Sequence, residues 1–408
     1  MPESAPRRRP PLWLLAQITL SGTLAMHMFV PALPSAAADL GASIAAMQTT
    51  VSLYIFGLAA GQLFYGPLAD RFGRRPVLMF GLVLYTAAGL VAAVSPDVRV
   101  LIAARLAQAL GGCAGLVLGR AMVRDTAGDD DVVRRLALLT LMMMAGPGLA
   151  PLVGGVLSSA LGWRAIFWVL AALGLVNFVL TWRLLPETGR ASAGLGTAAL
   201  ARDYLGLLRS PVFLGYAVGG GCATTSMYAF VAAAPFIFAV DLGRPEHEVG
   251  VYLGLLILGM ALGNLLIGRL VGRFGAERLM VGANLLSLLS ACALLGVVLL
   301  GRLSVASAVG LMVVFTFGVG MASPTALTKA VSVDPQVIGS AAGLYGFSQM
   351  AVGALCSSLA GVGGDPALAA ATVLVLAGAC AQAAFWTAGR RDRAARRASR
   401  RPGAGPDG

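Results

Sequence analysis

Apolar residues along the chain come in blocks of roughly 20, parted by short polar or Gly/Pro-rich breaks; about 20 is the number an α-helix needs to cross a hydrocarbon core about 30 Å thick. The blocks predict about twelve spanning helices, over 12–34, 44–68, 76–94, 98–123, 132–160, 163–183, 211–240, 248–272, 277–300, 304–331, 336–362 and 366–388. The expected fold class is all-α and integral to a membrane. Arg7–Arg9, the first block and the small residues of "PALPSAAA" imitate a secretory leader. The apolar part is longer than the roughly 7–15 residues of such a leader, so the first block is expected to remain as a span.

Composition agrees with the pattern. The chain is 58% hydrophobic and 12% charged, with mean hydropathy +0.83, whereas soluble domains carry about 25% charged residues. The 53 glycines suit helices that must approach closely in lipid. Five cysteines lie inside apolar blocks without CxxC spacing, which indicates packing and no metal or disulfide framework.

A net charge of +12 invites a nucleic-acid reading, but the placement of the charge argues against one. Arg7–Arg9, Arg71/Arg74/Arg75, Arg124/Arg134/Arg135, the stretch from Arg183 to Arg209, Arg269/Arg273/Arg278, Lys329 and the tail from Arg390 onward fall in alternate loops. That puts 24 basic residues on one side against 4 (Arg99, Arg164, Arg244 and Arg302) on the other. The positive-inside rule then makes both termini cytoplasmic.

The chain also repeats itself. "GQLFYGPLADRFGRRP" at 61–76 and "GNLLIGRLVGRFGAER" at 263–278 share seven residues at a constant offset of 202, at equivalent topological places. This implies two parallel six-span halves, of the kind that rock about a midplane site. The expected organisation is a basic tail over 1–11, a six-helix bundle over 12–183, a connector over 184–210, a second bundle over 211–388 and a basic tail over 389–408.

"GQLFYGPLADRFGRRPVL" resembles motif A of the major facilitator superfamily. Gly61 and Gly66 are expected to permit close helix contact. Asp70 with Arg71, Arg74 and Arg75 forms a charged latch beside Gly73 at the membrane edge. The resemblance implies that Asp70 leans on the start of the eleventh helix, near Gln336. In the fifth span, Gly146, Pro147, Pro151, Gly154 and Gly155 resemble motif C, associated with antiporters; Ala150 stands where that pattern has a glycine. "VPALPSAAADL", "LIAARLAQALGGCAGLVLGRAMVRD", "LGWRAIFWVL", "AFVAAAPFIF" and "SAAGLYGFSQMAVGAL" are similar to Bcr/CflA-type drug-resistance transporters, over roughly residues 12–388. The resemblance implies a bacterial inner-membrane carrier, working as a monomer among lipids.

None of the 18 acids lies mid-span; the ionisable residues inside the membrane are His27, Arg105 and Arg120. Such residues are functional candidates by default. Arg105 and Gln108 are one turn apart on the fourth span, and Arg105 matches the motif B arginine, which the resemblance links to proton coupling and substrate binding. Thr19, Thr23 and His27 form a polar stripe on the first span, in "HMFVPALP", where the resembled transporters carry an aspartate in place of His27. With an unperturbed pKa of about 6.5, His27 is the residue that changes charge near neutral pH. Tyr54, Tyr228 and Gln349 are expected to line the substrate cavity.

The function implied is export of small amphiphilic drugs or antibiotics by proton antiport with alternating access. It needs a small-molecule substrate and the proton gradient, with no cofactor, metal or nucleic acid. The alternatives are a carrier for a specific small metabolite and a facilitator without proton coupling. An enzyme is disfavoured, because no metal-spaced His/Cys set or acid pair occurs in the spans and His247 sits in a loop with Glu246 and Glu248.

Overall fold

Helix starts in this chain are written as short polar residues just ahead of apolar runs. The computed structural model describes residues 10–126, 129–189, 197–334 and 337–399, where all regular structure is helical. The first span consists of α1 (Leu12–Phe29) and α2 (Leu33–Asp39), separated by a 3-10 turn at Val30–Ala32. Pro31 sits in that turn, and its missing N–H interrupts the α-helical ladder. Next come α3 (Ile44–Phe72), α4 (Arg74–Ala93), α5 (Val98–Thr126), α6 (Asp129–Leu161) and α7 (Trp163–Leu184). The connector contains α8 (Thr197–Arg209). The second group begins with a composite span made of α9 (Pro211–Thr225), α10 (Met227–Pro235) and a π-helical segment Phe236–Asp241. It continues with α11 (Glu246–Phe274), α12 (Ala276–Leu299), α13 (Val305–Val331), α14 (Ile338–Leu359) and α15 (Pro366–Ser399).

The caps satisfy the orphan N–H groups of the first turns. Ser43 accepts from the Ala46 N–H ahead of α3 at 3.2 Å. Asp97 Oδ1 accepts from the N–H groups of Arg99 (2.8 Å) and Val100 (3.0 Å) at the start of α5. Ser304 and Ser307 form a reciprocal capping box at α13. Each of the twelve apolar blocks falls on a helix. Ten spans are long and apolar enough to cross a membrane. The other two are α6, whose described apolar stretch is Gly146–Leu161, and α14, diluted by Ser340, Ser348, Gln349, Ser357 and Ser358.

Small residues decide how the helices meet. A Cβ at Gly112 of α5 would lie 2.8 Å from the Gly22 Cα of α1, so these two helices touch backbone to backbone. Gly115 and Gly119 continue the contact onto Ile18 and Thr19 of α1. Between the groups, α3 runs along α14 and α6 along α11.

The repeat has structural meaning, position by position. Gly61 packs on Cys113 of α5, the fourth span of the first group; Gly263 packs on Phe317 of α13, the fourth span of the second. Gly73 and Gly275 both take positive φ, 94° and 79°, in the turns that close these two helices. Gly66 and Gly268 also behave alike, but not as expected: nothing lies within 4 Å of a Cβ at either. The reading of Gly66 as a helix-contact glycine is therefore corrected, since it faces away from neighbouring helices.

Two further features depart from the sequence reading. The polar connector holds an amphipathic helix, α8, whose Asp203 accepts from the Ser340 hydroxyl in the first turn of α14 at 3.2 Å. The last helix does not stop at 388 but continues to Ser399, with Asp392 near Lys329 (3.5 Å) and Arg393 near Glu277 (3.3 Å).

Gly73 combines φ 94° with ψ 153°, a region that glycine alone enters without strain. Gly73→Ala is expected to cost about 1–3 kcal/mol, with Gly66→Ala close to neutral. Thermal unfolding of the two purified variants checks this; equal melting would contradict the assignment.

Candidate functional site

The molecule has a terminal side, where α1 begins and α15 ends, and a far side opposite it. On the far side the two helix groups close together through α6. Its glycines alternate between two neighbours. Gly146 and Gly154 abut α1, where a Cβ at Gly154 would collide with the Met28 carbonyl. Gly155 abuts α11, with Glu246 O 2.8 Å from where a Cβ would stand. Gly250 of α11 lies against the Pro151 carbonyl in return. Pro147 and Pro151 lie inside the helix. Each proline leaves the carbonyl four residues before it without its helical N–H partner, whereas the carbonyl that Gly250 meets is Pro151's own. Gly146, Pro151, Gly154 and Gly155 thus form a wedge that brings α1 and α11 onto one helix. Ser52 of α3 adds a hydrogen bond to Ser357 of α14 at 3.2 Å on the same side.

His27 sits at this seam. The residue is 4% exposed and shares a small apolar pocket with Val30, Pro151, Val231, Leu253, Leu256 and Ile257, contributed by the first span, α6, α10 and α11. Its Nδ1 donates to the Thr23 carbonyl at 2.8 Å. A carbonyl only accepts, so Nδ1 carries the hydrogen, and the neutral ring keeps Nε2 as its acceptor. The ring lies 6.3 Å from the Tyr228 ring of α10, across the seam. Thr23 turns its own hydroxyl back onto the Leu20 carbonyl at 3.0 Å.

Arg105 lies elsewhere, inside the first helix group at 0% exposure. Its guanidinium stacks on the Tyr54 ring at 3.9 Å, with Phe29 at 5.4 Å and Phe167 at 5.7 Å completing an aromatic cage. Its Nη1 donates to Gln108 Oε1 at 2.8 Å, the contact that the one-turn spacing anticipates. Among the described residues its Nε and Nη2 have no hydrogen-bond partner, and no carboxylate pairs with it. Cation–π contact with three rings provides the stabilisation that an acid would otherwise give.

Not all the candidates converge. His27, Thr23 and Tyr228 meet at the seam. Arg105, Gln108 and Tyr54 form a separate buried cluster, and His27 and Arg105 share no hydrogen bond, ring contact or ion pair. Tyr54 is fully buried: its ring carries Arg105 and its hydroxyl donates to the Gly22 carbonyl at 2.7 Å. Gln349 belongs to a third place, half-buried on α14, donating to the Thr224 hydroxyl of α9 at 2.6 Å. Arg120 is exposed, one turn before Arg124 on α5.

At the terminal side the latch is built around Arg74, which bridges Asp70 (2.8 Å) and Asp125 (3.1 Å). Glu187, after α7, accepts from the backbone N–H groups of Arg74 (2.9 Å) and Arg75 (3.1 Å), an anion at a helix N-terminus. Arg75 donates to the Trp182 carbonyl at 2.5 Å, and Arg71 is exposed over the Phe72 ring at 5.2 Å. The expected partner of Asp70 near Gln336 lies outside the described residues. Sequence reasoning missed Asp125, Glu187, Phe29 and Phe167. Their roles come from other helices or a loop, and no spacing announces them.

These helices also match known proteins. Residues 15–357 match the profile of the Major Facilitator Superfamily. The chain belongs to that superfamily. A bicyclomycin resistance protein homolog of Haemophilus influenzae is 31% identical over 358 residues, covering 87% of this chain and 89% of that one. Multidrug resistance protein D of Escherichia coli is 30% identical over 339 residues, covering 82% and 84%. Among solved structures, a bacterial homolog of the human lysosomal transporter Spinster superposes with a TM-score of 0.72 at 15% identity, covering 95% of this chain and 98% of that one. That likeness concerns the fold. Members of the superfamily are multi-pass transporters of small molecules, and the Bcr/CflA-type resemblance read from the sequence agrees with these relatives.

The cage makes a distinction that can be measured. Tyr54→Phe loses one hydrogen bond and is expected to cost about 0.5–1.5 kcal/mol. Tyr54→Ala also removes the ring under Arg105 and is expected to cost about 3–5 kcal/mol. Equal losses in thermal or denaturant unfolding would rule out the stacking role.

Proposed function

We propose that this superfamily member exports small amphiphilic drugs or antibiotics from the bacterial cytoplasm across the inner membrane, in exchange for protons, by alternating access. Both termini are then cytoplasmic and the far side is periplasmic. A single chain among lipids suffices, and the proton gradient supplies the energy. The drug-resistance names of relatives at 30–31% identity support the substrate class. The α1–α6–α11 wedge supports the mechanism, because it gives the two halves a seam to open and close on the periplasmic side.

One observation carries the coupling: His27 at the seam has its Nδ1–H committed to the Thr23 carbonyl. A single lone pair, on Nε2, is left for exchange. It takes a proton, or it accepts a hydrogen bond from a substrate hydroxyl or amide, but never both. Occupancy by one excludes the other, which is the requirement for antiport. Protonation also places a charge in an apolar seam, where closure around it costs desolvation. The protonated ring therefore favours the state in which water reaches the seam, and the neutral ring the sealed one. Tyr228 is the polar ring that faces His27 from the other half.

In everted vesicles, adding a transported drug is expected to release protons, read with a ΔpH-sensitive dye. His27→Ala is expected to abolish the release, and His27→Asp, which restores a proton site, to retain it. Unchanged pH-dependent efflux in the alanine variant would remove His27 from the coupling.

A further inference from the structure

The ionisable side chains inside the membrane are of one sign. Every carboxylate among the described residues lies in a helix end turn, the connector or a loop, except Asp392, which sits two turns before the end of α15, 3.5 Å from Lys329. His27, Arg105 and Arg120 are therefore left without an acid at their depth. On α11, whose Leu253, Leu256 and Ile257 face His27, the acids are Glu246 and Glu248 in its first turn, and Glu248 accepts from the Tyr252 hydroxyl at 2.6 Å. The other elements around the pocket bring no acid to it: α1 and α10 contain none, and those of α6 are in its first turn at the opposite end. Among the described residues Arg105 hydrogen-bonds Gln108 and stacks against three aromatic rings with no carboxylate partner, so its charge is stabilised locally without being cancelled.

We infer that the transport path takes neutral or weakly anionic amphiphiles and rejects permanently cationic ones. The inference rests on the proposed transport function and adds a sign rule to it. His27 is neutral or positive and never negative, while Arg105 and Arg120 are positive throughout. No protonation state of the interior offers a cation a counter-charge. Like unit charges about 10 Å apart, at an effective dielectric near 20, weaken binding by roughly tenfold. The groups act through the low-dielectric interior and need not touch the substrate.

Binding to the purified full chain tests this without reference to direction or proton coupling. Chloramphenicol serves as the neutral probe and tetraphenylphosphonium as the permanent cation. The wild type is expected to bind tetraphenylphosphonium at least tenfold more weakly than chloramphenicol. His27→Asp is expected to strengthen cation binding tenfold or more, and His27→Gln, neutral at every pH, to leave the cation excluded. Thermal unfolding of each variant shows that it is folded. Cation binding as tight as that of the neutral probe, binding of neither, or a folded His27→Asp protein with no gain would each overturn the inference. Selective chloramphenicol binding by a protein that shows no drug-driven proton release would remove the antiport reading and leave the sign rule standing.

Discussion

The backbone contact between Gly22 and Gly112 is the constraint on which the first half depends. In lipid, apolar side chains gain little by leaving their surroundings for one another, so association relies on close packing and the few polar groups available. Bringing α1 against α5 at glycine distance does two things. It lets the Tyr54 and Tyr85 hydroxyls reach carbonyls of α1 at Gly22 and Ser21, and it closes the walls around Arg105. The second half uses the same device where Gly263 meets Phe317 and Gly320 meets Met260. The two halves are then joined by α6 on α11 and α3 on α14, contacts that again run through glycine and serine.

Much of the fold was legible because spans are long, apolar and separated by residues that stop helices. Ser43, Asp97, Ser210 and Ser304 mark starts that the structure uses as caps. Where sequence and structure part, the deciding contact lies outside the local pattern. Gly66 sits in a recognisable motif, yet nothing in one helix says which face meets a neighbour. The connector looks merely polar because α8 is short and its partner, Ser340, is 137 residues away.

The site was legible in proportion to how local its contacts are. Arg105 and Gln108 are on one helix face, so their hydrogen bond follows from spacing. The cage of Phe29, Tyr54 and Phe167 draws on three other helices and carries no spacing signal. Glu187 is plainer still: an acid in a loop that holds the start of α4 by two backbone N–H groups. His27 stands out by type and position, but its committed Nδ1 and its place between the halves emerge only from the assembled helices.

Arg105 has one consequence that packing alone does not express. A fixed charge without a counter-charge inside a membrane feels the electric field across that membrane, worth about 2.3 kcal/mol per unit charge for each 100 mV over the full thickness. Aromatic rings steady the guanidinium but leave its monopole intact. Any tilt of the first helix group that carries Arg105 through part of the field draws that fraction of the energy from the resting potential. Under the proposed alternating access, the voltage across the membrane thereby acts on the balance between the two states.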